Sequence, residues 1–277
     1  MTRLLATDIK DIPNSLTAYD ANLMAKTGCS LFHIACHATG VSVETIRGSI
    51  EKARVGVIPI TTGLGRLQGF CDAVAAIADH IGCQAFVCQQ TDVAGMVEAI
   101  TSNADIIMLA DEQRFIALNL NTGTIADNAV ATGRGFVTAL QQMAGYSLKD
   151  RQVLVLGCGP VGQNAVYSLL EYGSAVSVYD IDPLKSTSLK TAGGPDPNGT
   201  VRWATDLEDA LLKHALIVDA TPAEAFIRSR HIKDNTMISA PGVPLGLDQA
   251  AQTAIGDRLI HDPLQIGVAS MLTMAVD

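Results

Sequence analysis

Short apolar runs alternate with helix-forming stretches along the first 110 residues, after an opening region of helical character at residues 7–51. The runs are rich in β-branched and other apolar side chains, a composition typical of buried strands. An order of strand, loop, helix and strand predicts a small parallel sheet. The predicted strands are 55–60, 84–88 and 105–110, and the predicted helices between them are 67–81 and 93–102.

A second pattern of the same kind begins after a polar junction at residues 146–151, and a helix at 128–145 connects the two patterns. A last helix at 267–276 is apolar, and its pattern leaves open which half of the chain it packs against. We therefore predict two domains: a smaller N-terminal helical and α/β domain, residues 1–147, and a C-terminal domain, residues 148–277. The strands predicted in the second domain are 152–156, 175–179, 215–220 and 236–240.

Composition excludes several classes of protein. Of the 277 residues, 48% are hydrophobic and 17% are charged, which does not fit a disordered chain. The net charge is −9, whereas a nucleic-acid-binding protein typically carries a cluster of basic residues. The first residues do not resemble a secretory signal, and no apolar run reaches the roughly 18 residues of a membrane span. We expect a cytoplasmic protein with no nucleic-acid or membrane partner.

The segment from Gly157 to Gly162, Gly-Cys-Gly-Pro-Val-Gly, carries the clearest chemistry. It follows an apolar strand, opens a helix, and precedes a second strand with Asp180 at its end. An acid about 20 residues after the first glycine completes the dinucleotide-binding fingerprint. The second half of the chain is therefore predicted to be a Rossmann domain with a doubly wound parallel sheet.

Each part of this motif has a physical role. Gly157 permits a tight turn, Gly159 lets the backbone approach a pyrophosphate, and Gly162 lets helix and strand pack closely. Pro160 and Val161 begin the helix, whose free N–H groups and dipole favour phosphates. Asp180 can accept hydrogen bonds from the ribose hydroxyls and would repel a 2′-phosphate, which predicts NAD over NADP. The alternative is a Rossmann domain that binds nothing.

Two further strand ends belong to the same edge of the predicted sheet. Ligands of doubly wound sheets lie outside the carboxyl ends of the strands. Thr221, Pro222 and Pro241 are therefore candidate cofactor residues, on either the adenosine-ribose side or the nicotinamide side. An ordinary rigid turn at residues 241–244 is the alternative interpretation.

Four potential metal ligands, Cys29, His33, Cys36 and His37, share one face of a predicted helix. Buried Cys and His on the apolar face of a helix are commoner than ligands. The first and last lie about 12 Å apart along the helix axis, which is too far for one tetrahedral ion. We expect no metal site, and the sequence leaves the role of these residues open. The six cysteines include no CxxC pair and are expected to be reduced thiols.

The chain as a whole resembles the pyrrolysine synthase family, through seven segments that occur in the same order. The match is generic in the glycine loop and specific in the N-terminal and C-terminal segments. The chain departs from the family pattern at 158–160 and at 261–263, where Asp262 stands in place of a longer acid. The segments are VIPITTGLG (57–65), TDVAG (91–95), MLAD (108–111), the loop 157–162, Ala-Thr-Pro (220–222), PGVP (241–244) and PLQIGVASML (263–272).

The resemblance implies one reaction. The substrate is lysine whose side-chain nitrogen carries 3-methyl-D-ornithine through an isopeptide bond. NAD oxidises the terminal amine of the ornithine part, water releases ammonia to leave a semialdehyde, and the aldehyde condenses with the ornithine α-amine to close the ring of pyrrolysine. The implied partner is this dipeptide-like small molecule, and the sequence allows a homodimer.

Several residues fit such a substrate, which has ammonium groups and one carboxylate. Asp111 and Asp262 are candidates to hold or deprotonate an ammonium group, although either could merely cap a helix. Thr61 and Thr62, in a loop before a helix, are candidates to bind the carboxylate or the carbonyl of the substrate, and a simple turn or helix cap is their alternative. The remaining candidates are Asn128 and Ser270, which would orient the reacting amine, and Leu5. Leu5 lies on an N-terminal segment that is expected to cover the cleft between the two predicted domains, where the substrate would bind.

Two other functions stay open at this point. The first is another NAD-dependent amine or amino-acid dehydrogenase on the same architecture, which would yield no cyclic product. The second is a non-catalytic NAD-sensing module, which would bind the nucleotide without turnover. Of the residues above, Asp111 and Asn128 are the predicted catalytic pair.

Overall fold

In a computed structural model, which describes residues 4–185 and 201–276, the chain forms two β-sheets, one in each half. Four helices precede the first sheet, and the opening region is helical as predicted. Ser30 caps α3 by accepting the backbone N–H of His33, and Gly28 and Gly40 end α2 and α3. These helices are α1 (Ala6–Ile9), α2 (Ile12–Thr27), α3 (Leu31–Thr39) and α4 (Val43–Ile50).

The first sheet has five strands in the order β2-β1-β3-β4-β5. Strands β1, β2 and β3 are parallel, as the sequence predicts, and helices α5 (Phe70–His80) and α6 (Asp92–Thr101) connect them. Strands β4 and β5 run antiparallel and were not predicted, so the expected parallel sheet is in fact mixed. The strands are β1 (Arg54–Ile58), β2 (Gln84–Val87), β3 (Ile106–Ala110), β4 (Phe115–Asn119) and β5 (Ile125–Asp127).

The second sheet has six parallel strands in the order β11-β10-β9-β6-β7-β8. Counted from β6, this is the 3-2-1-4-5-6 order of the doubly wound dinucleotide-binding fold, which confirms the predicted fold class. The strands are β6 (Gln152–Leu156), β7 (Ala175–Tyr179), β8 (Val201–Trp203), β9 (Leu216–Asp219), β10 (Met237–Ala240) and β11 (Leu259–His261). The helices are α8 (Pro160–Glu171), α9 (Leu207–Lys213) and α10 (Gln249–Ile255).

The C-terminal helix α11 (Gln265–Val276) packs against the N-terminal half of the chain, a choice that its apolar pattern left open. It packs against α3, α5 and α7 (Asn128–Met143), and its side chains belong to the hydrophobic core of the N-terminal half. Thr273 Oγ1 donates to the carbonyl of Ala35, and Asn119 Nδ2 donates to the carbonyl of Ala275. A helix that is apolar all round is buried on all sides, and α11 contributes ten buried residues.

Helix α7 (Asn128–Met143) joins the two halves and touches both through glycine. A Cβ added to Gly133 would lie 2.8 Å from Asn164 Cβ on α8, and one added to Gly135 would lie 2.4 Å from Ile266 Cγ2 on α11. The backbone of α7 therefore approaches both neighbours more closely than any side chain would allow. Within the described ranges, no helix is long and apolar enough to cross a membrane.

Candidate functional site

The glycine loop of the second sheet has the geometry that the sequence predicts for a pyrophosphate site. Gly157 has a φ of 85°, a region that favours glycine, and its N–H donates to the carbonyl of Tyr179 at 2.8 Å. A Cβ on Gly162 would lie 1.8 Å from Gly157 O, so helix α8 presses directly onto the turn. Gly159 caps α8, and the position of its missing Cβ is open space. The cradle therefore has room for a ligand at the start of a helix.

Asp180 lies beside this loop and holds it in place. Its Oδ2 accepts the backbone N–H of Cys158 at 2.7 Å, and its Oδ1 accepts that of Asp182 at 2.9 Å. The side chain is half-buried and follows β7 directly. Asp180 thus stands at the strand end where a Rossmann domain places its ribose-binding acid.

Thr221, Pro222 and Pro241 follow the two strands on the opposite side of β6. Thr221 lies against the turn, because its Cγ2 would be 3.2 Å from a Cβ added to Gly157. Pro222 is exposed, whereas Pro241 is buried. The topology therefore brings the glycine loop, Asp180, Thr221 and Pro241 to one edge of the sheet, with Asp180 and Thr221 on either side of β6.

Buried Asp219 supports the Thr221 turn and was not singled out from the sequence. It is 0% exposed, and its Oδ1 accepts both the N–H and the hydroxyl of Thr221, at 3.1 and 2.7 Å. Burial raises the pKa of this carboxyl to about 6, against the lowering effect of the Thr221 hydrogen bonds. An acid at the end of an otherwise apolar strand, Leu-Ile-Val-Asp, was the available signal.

At the first sheet, Thr61 is tied to the start of helix α6. Its N–H and hydroxyl both donate to the carboxylate of Asp92, at 2.9 Å each, and these bonds lower the pKa of Asp92. Thr61 and Thr62 are exposed. Asp92 is a second residue that was not singled out as a site residue, although it lies in the TDVAG segment at 91–95.

Asp111 follows β3 at the same edge as Thr61. A Cβ on Gly63 would lie 2.2 Å from the backbone carbon of Asp111, so the two loops are in contact. Asp111 Oδ1 accepts the N–H groups of Gln113 and Arg114, which lower the pKa of this carboxyl. The same side chain therefore forms the β3–β4 turn and presents a negative charge at the strand end.

Asn128 lies at the same edge, at the beginning of α7. Arg114 bridges the two positions, because its N–H binds Asp111 and its guanidinium pairs with Asp127 at 2.8 Å. Asn128 Oδ1 accepts the Thr132 hydroxyl at 3.2 Å and lies 3.1 Å from where a Cβ of Gly267 would be. The first sheet thus gathers Thr61, Asp111 and Asn128, with the first turn of α11 beside them.

Asp262 is placed differently from the exposed candidates. It is 3% exposed, its Oδ2 accepts the Tyr19 hydroxyl at 2.7 Å, and its Oδ1 accepts the N–H of Ile266 at 3.3 Å. Burial raises the pKa of Asp262, and burial together with this neighbouring acid raises that of Tyr19 well above its ordinary value. Tyr19 is a partner that no local sequence signal identifies.

Ser270 and Leu5 lie apart from that edge. Ser270 is fully buried on α11, 2.8 Å from where a Cβ of Gly135 would be, and among the described residues its hydroxyl has no hydrogen-bond partner. Leu5 is 61% exposed at the start of α1, and its N–H donates to Asp8.

The Cys29–His37 group has separate hydrogen bonds. Cys29 Sγ donates to Gln142 Oε1, His33 Nδ1 lies 2.6 Å from Ser30 Oγ, and Cys36 is fully buried. Burial raises the pKa of Cys36 to about 11. In residues 4–185 and 201–276, no three His, Cys, Asp or Glu side chains are arranged to hold a metal ion.

Comparisons with known proteins agree with this picture. Residues 8–126 match the family model described as "Pyrrolysine biosynthesis protein PylD, N-terminal domain". The structure resembles quinate dehydrogenase from Corynebacterium glutamicum in complex with NAD, with a TM-score of 0.54, 15% identity and coverage of 81% of this chain and 92% of that one. That likeness confirms the fold.

Sequence relatives extend the match to nearly the whole chain. Pyrrolysine synthase of Methanosarcina acetivorans is 31% identical over 275 residues, which are 98% of each chain. Pyrrolysine synthase of Methanosarcina barkeri is 30% identical over 98% of this chain and 97% of its own. The similarity therefore includes both sheets, the glycine loop and helix α11. The chain belongs to the pyrrolysine synthase family.

Proposed function

We propose that the chain is an oxidoreductase of pyrrolysine biosynthesis that acts on lysine-Nε-3-methyl-D-ornithine with NAD. The observation that carries this proposal is 31% identity to a pyrrolysine synthase over 98% of both chains. The terminal –CH2–NH3⁺ of the ornithine part loses a hydride and a proton to become an imine. Water adds and ammonia leaves, which yields the semialdehyde. The α-amine then attacks the aldehyde and water leaves, which closes the ring.

The residues at the edge of the second sheet fit the dinucleotide. The open cradle at Gly159 accepts the pyrophosphate, with Pro160, Val161 and Gly162 behind it at the start of α8. Asp180 accepts hydrogen bonds from the hydroxyls of the adenosine ribose. Its negative charge repels a 2′-phosphate, which selects NAD over NADP. When bound, NAD supplies the hydride acceptor. Thr221, Pro222 and Pro241 border the nicotinamide half, on the other side of β6.

The edge of the first sheet fits the amine. Asp111 is held ionised by two backbone N–H groups and binds the terminal ammonium or takes its proton. Asn128 orients the reacting nitrogen from the start of α7. Thr62, exposed on the loop beside Asp111, binds the carboxylate end. Thr61 can join it only by giving up Asp92, which already accepts both its N–H and its hydroxyl.

The buried candidates act from behind this edge. Asp262 lies just before α11, and Ser270 lies on it. Leu5, which is exposed, closes the site when the segment at α1 moves. We place the reaction in the cytoplasm, with this dipeptide-like small molecule as the partner. A homodimer is the assembly to test, by light scattering.

The deciding experiment incubates the purified protein with NAD and the lysine–methylornithine isopeptide. NADH absorbance and product mass are followed together. NADH formation with loss of ammonia and water supports oxidation with ring closure. NADH formation without the cyclic product would indicate a plain amine dehydrogenase. Bound NAD without any turnover would leave a nucleotide-sensing module as the better interpretation.

A further inference from the structure

The carboxyl of Asp219 connects two loops at the edge of the second sheet. Its side chain accepts two hydrogen bonds from Thr221, while its backbone carbonyl accepts the N–H of Gly242 at 3.0 Å. Its Oδ2 lies 2.1 Å from where a Cβ of Gly246 would be. One residue thus touches the loop that follows β9 and the loop that follows β10.

The second oxygen of this carboxyl is not satisfied. Among the described residues, Oδ2 has no hydrogen-bond partner, although the side chain is fully buried. The N–H of Gly246 faces the carboxyl and lowers its pKa without the alignment of a hydrogen bond. A buried, unpaired acceptor costs free energy. Such an atom calls for an explanation beyond packing.

The order of the strands says which half of the dinucleotide lies at these loops. A dinucleotide crosses a doubly wound sheet at the point where the strand order reverses. Here that point lies between β6 and β9. The proposed ribose acid, Asp180, follows β7 on one side of β6. The loops after β9 and β10 lie on the other side, where the nicotinamide half belongs.

We propose that Asp219 is a positioning residue that fixes the Thr221 and Gly242 loops in the shape that receives the nicotinamide half of NAD. This inference rests on the proposed function. Asp219 acts through its neighbours, because it is buried beneath them. The carboxylate has two acceptor oxygens, which is one more than an amide offers. Oδ1 therefore holds the Thr221 turn, while Oδ2 stays directed toward the N–H of Gly246 without a hydrogen bond to it.

The experiment compares NADH with ADP-ribose, which lacks the nicotinamide ring. Asp219→Asn keeps the size of the side chain and turns one acceptor into a donor. We expect the Kd for NADH to rise about tenfold, the loss of one hydrogen bond to a charged group, while the Kd for ADP-ribose stays within twofold. Asp206→Asn, at the exposed N-cap of α9, is the matched control and should change neither Kd.

Thr221→Val removes the hydroxyl that donates to Asp219 Oδ1. This variant replaces Asp219→Asn in the experiment if Asp219→Asn does not fold. It should weaken NADH binding selectively, and its effect should not add to that of Asp219→Asn. Equal weakening of NADH and ADP-ribose would assign Asp219 to general folding and overturn the inference. So would folded variants that bind NADH like the wild type. A wild type that binds neither ligand would instead overturn the proposed function itself.

Discussion

The hydroxyl of Tyr19 donates to Asp262 Oδ2 at 2.7 Å, across 243 residues of sequence. The bond connects α2 to the short segment between β11 and α11, so it ties together the two ends of the chain. Lys26, one residue before the end of α2, adds a second link by donating to the carbonyl of Leu259 at 2.8 Å. Helix α2 is thereby fastened to the edge strand of the second sheet.

Removal of the Tyr19 hydroxyl should lower the free energy of unfolding. Tyr19→Phe leaves the buried Asp262 with one partner fewer, which costs about 1–3 kcal/mol. Urea unfolding of the variant and the wild type measures the difference. Tyr146→Phe is the control, because Tyr146 is 65% exposed and its change should stay within about 0.5 kcal/mol. Equal effects of the two substitutions would contradict the assigned role of the bond.

Substitution of Asp180 should alter cofactor choice. Asp180→Ala removes the acceptor for the ribose hydroxyls, so we expect the Kd for NAD to rise about tenfold or more and the preference over NADP to shrink. Fluorescence titration with both cofactors measures this. Asp209→Asn, an exposed acid in the same half, should leave both constants unchanged. Unchanged affinities in Asp180→Ala would show that another residue binds the ribose.

Neutralisation of Asp111 should impair the amine step. Asp111→Asn keeps an acceptor for the turn but removes the charge that binds an ammonium group, so kcat/KM should fall about tenfold or more. Asp105→Asn is a matched control at the opposite end of β3, where Asp105 Oδ2 accepts the N–H of Arg54 at 2.9 Å. Comparable losses in both variants would point to damaged folding rather than lost chemistry.

The buried Asp219 should make stability depend on pH. Its pKa is about 6 when folded and 3.8 in its ordinary state, so the folded protein binds the proton more tightly. Its contribution to stability is therefore present below pH 3.8 and is lost as the pH rises through 6, by up to about 3 kcal/mol.

Urea unfolding of the wild type and of Asp219→Asn between pH 4 and 7.5 isolates this contribution. Other acids titrate alike in both proteins and cancel in the difference. The advantage of the wild type over the variant should shrink as the pH rises. A difference that stays flat across this range would place the pKa of Asp219 near its ordinary value.

The close contact at Gly135 should not tolerate a side chain. Gly135→Ala places a Cβ 2.4 Å from Ile266 Cγ2, and overpacking of this kind costs about 1–3 kcal/mol. Gly48→Ala, in helix α4 with open space around it, should instead stabilise the protein by up to about 1 kcal/mol. Thermal unfolding of the two variants should give shifts of opposite sign.

Local patterns predicted the glycine loop of the second sheet and the acid beside it. The loop from Gly157 to Gly162 and the acid Asp180 stand at fixed spacings, because a strand, a turn and a helix impose them. Strands β1, β2, β3, β6, β7, β9 and β10 also appear as compact apolar runs, whereas the three-residue parallel strands β8 and β11 were not predicted. Strand β4 was missed because its alternating burial depends on β3 beside it.

Contacts between residues that are distant in the sequence could not be predicted from local patterns. Nothing near Tyr19 or Asp262 signals their pairing, because the distance is closed only by the complete fold. Helix α11 shows the same limit, since an apolar surface on all sides gives no preferred face. Asp219 was visible as an acid that ends an apolar strand, but its hydrogen bonds to Thr221 depend on the turn conformation.

The position of helix α11 has a consequence for the order in which the protein is made. The core beneath the first sheet includes Ile266, Met271 and Leu272, which leave the ribosome after every strand of both described sheets. Chains emerge at roughly 5–20 residues per second, and domains generally fold as units. The first sheet and its helices must therefore wait for about half of the chain before their core can close. The glycine loop and Asp180 emerge earlier than α11, so the second sheet can assemble before α11 completes the core of the first sheet.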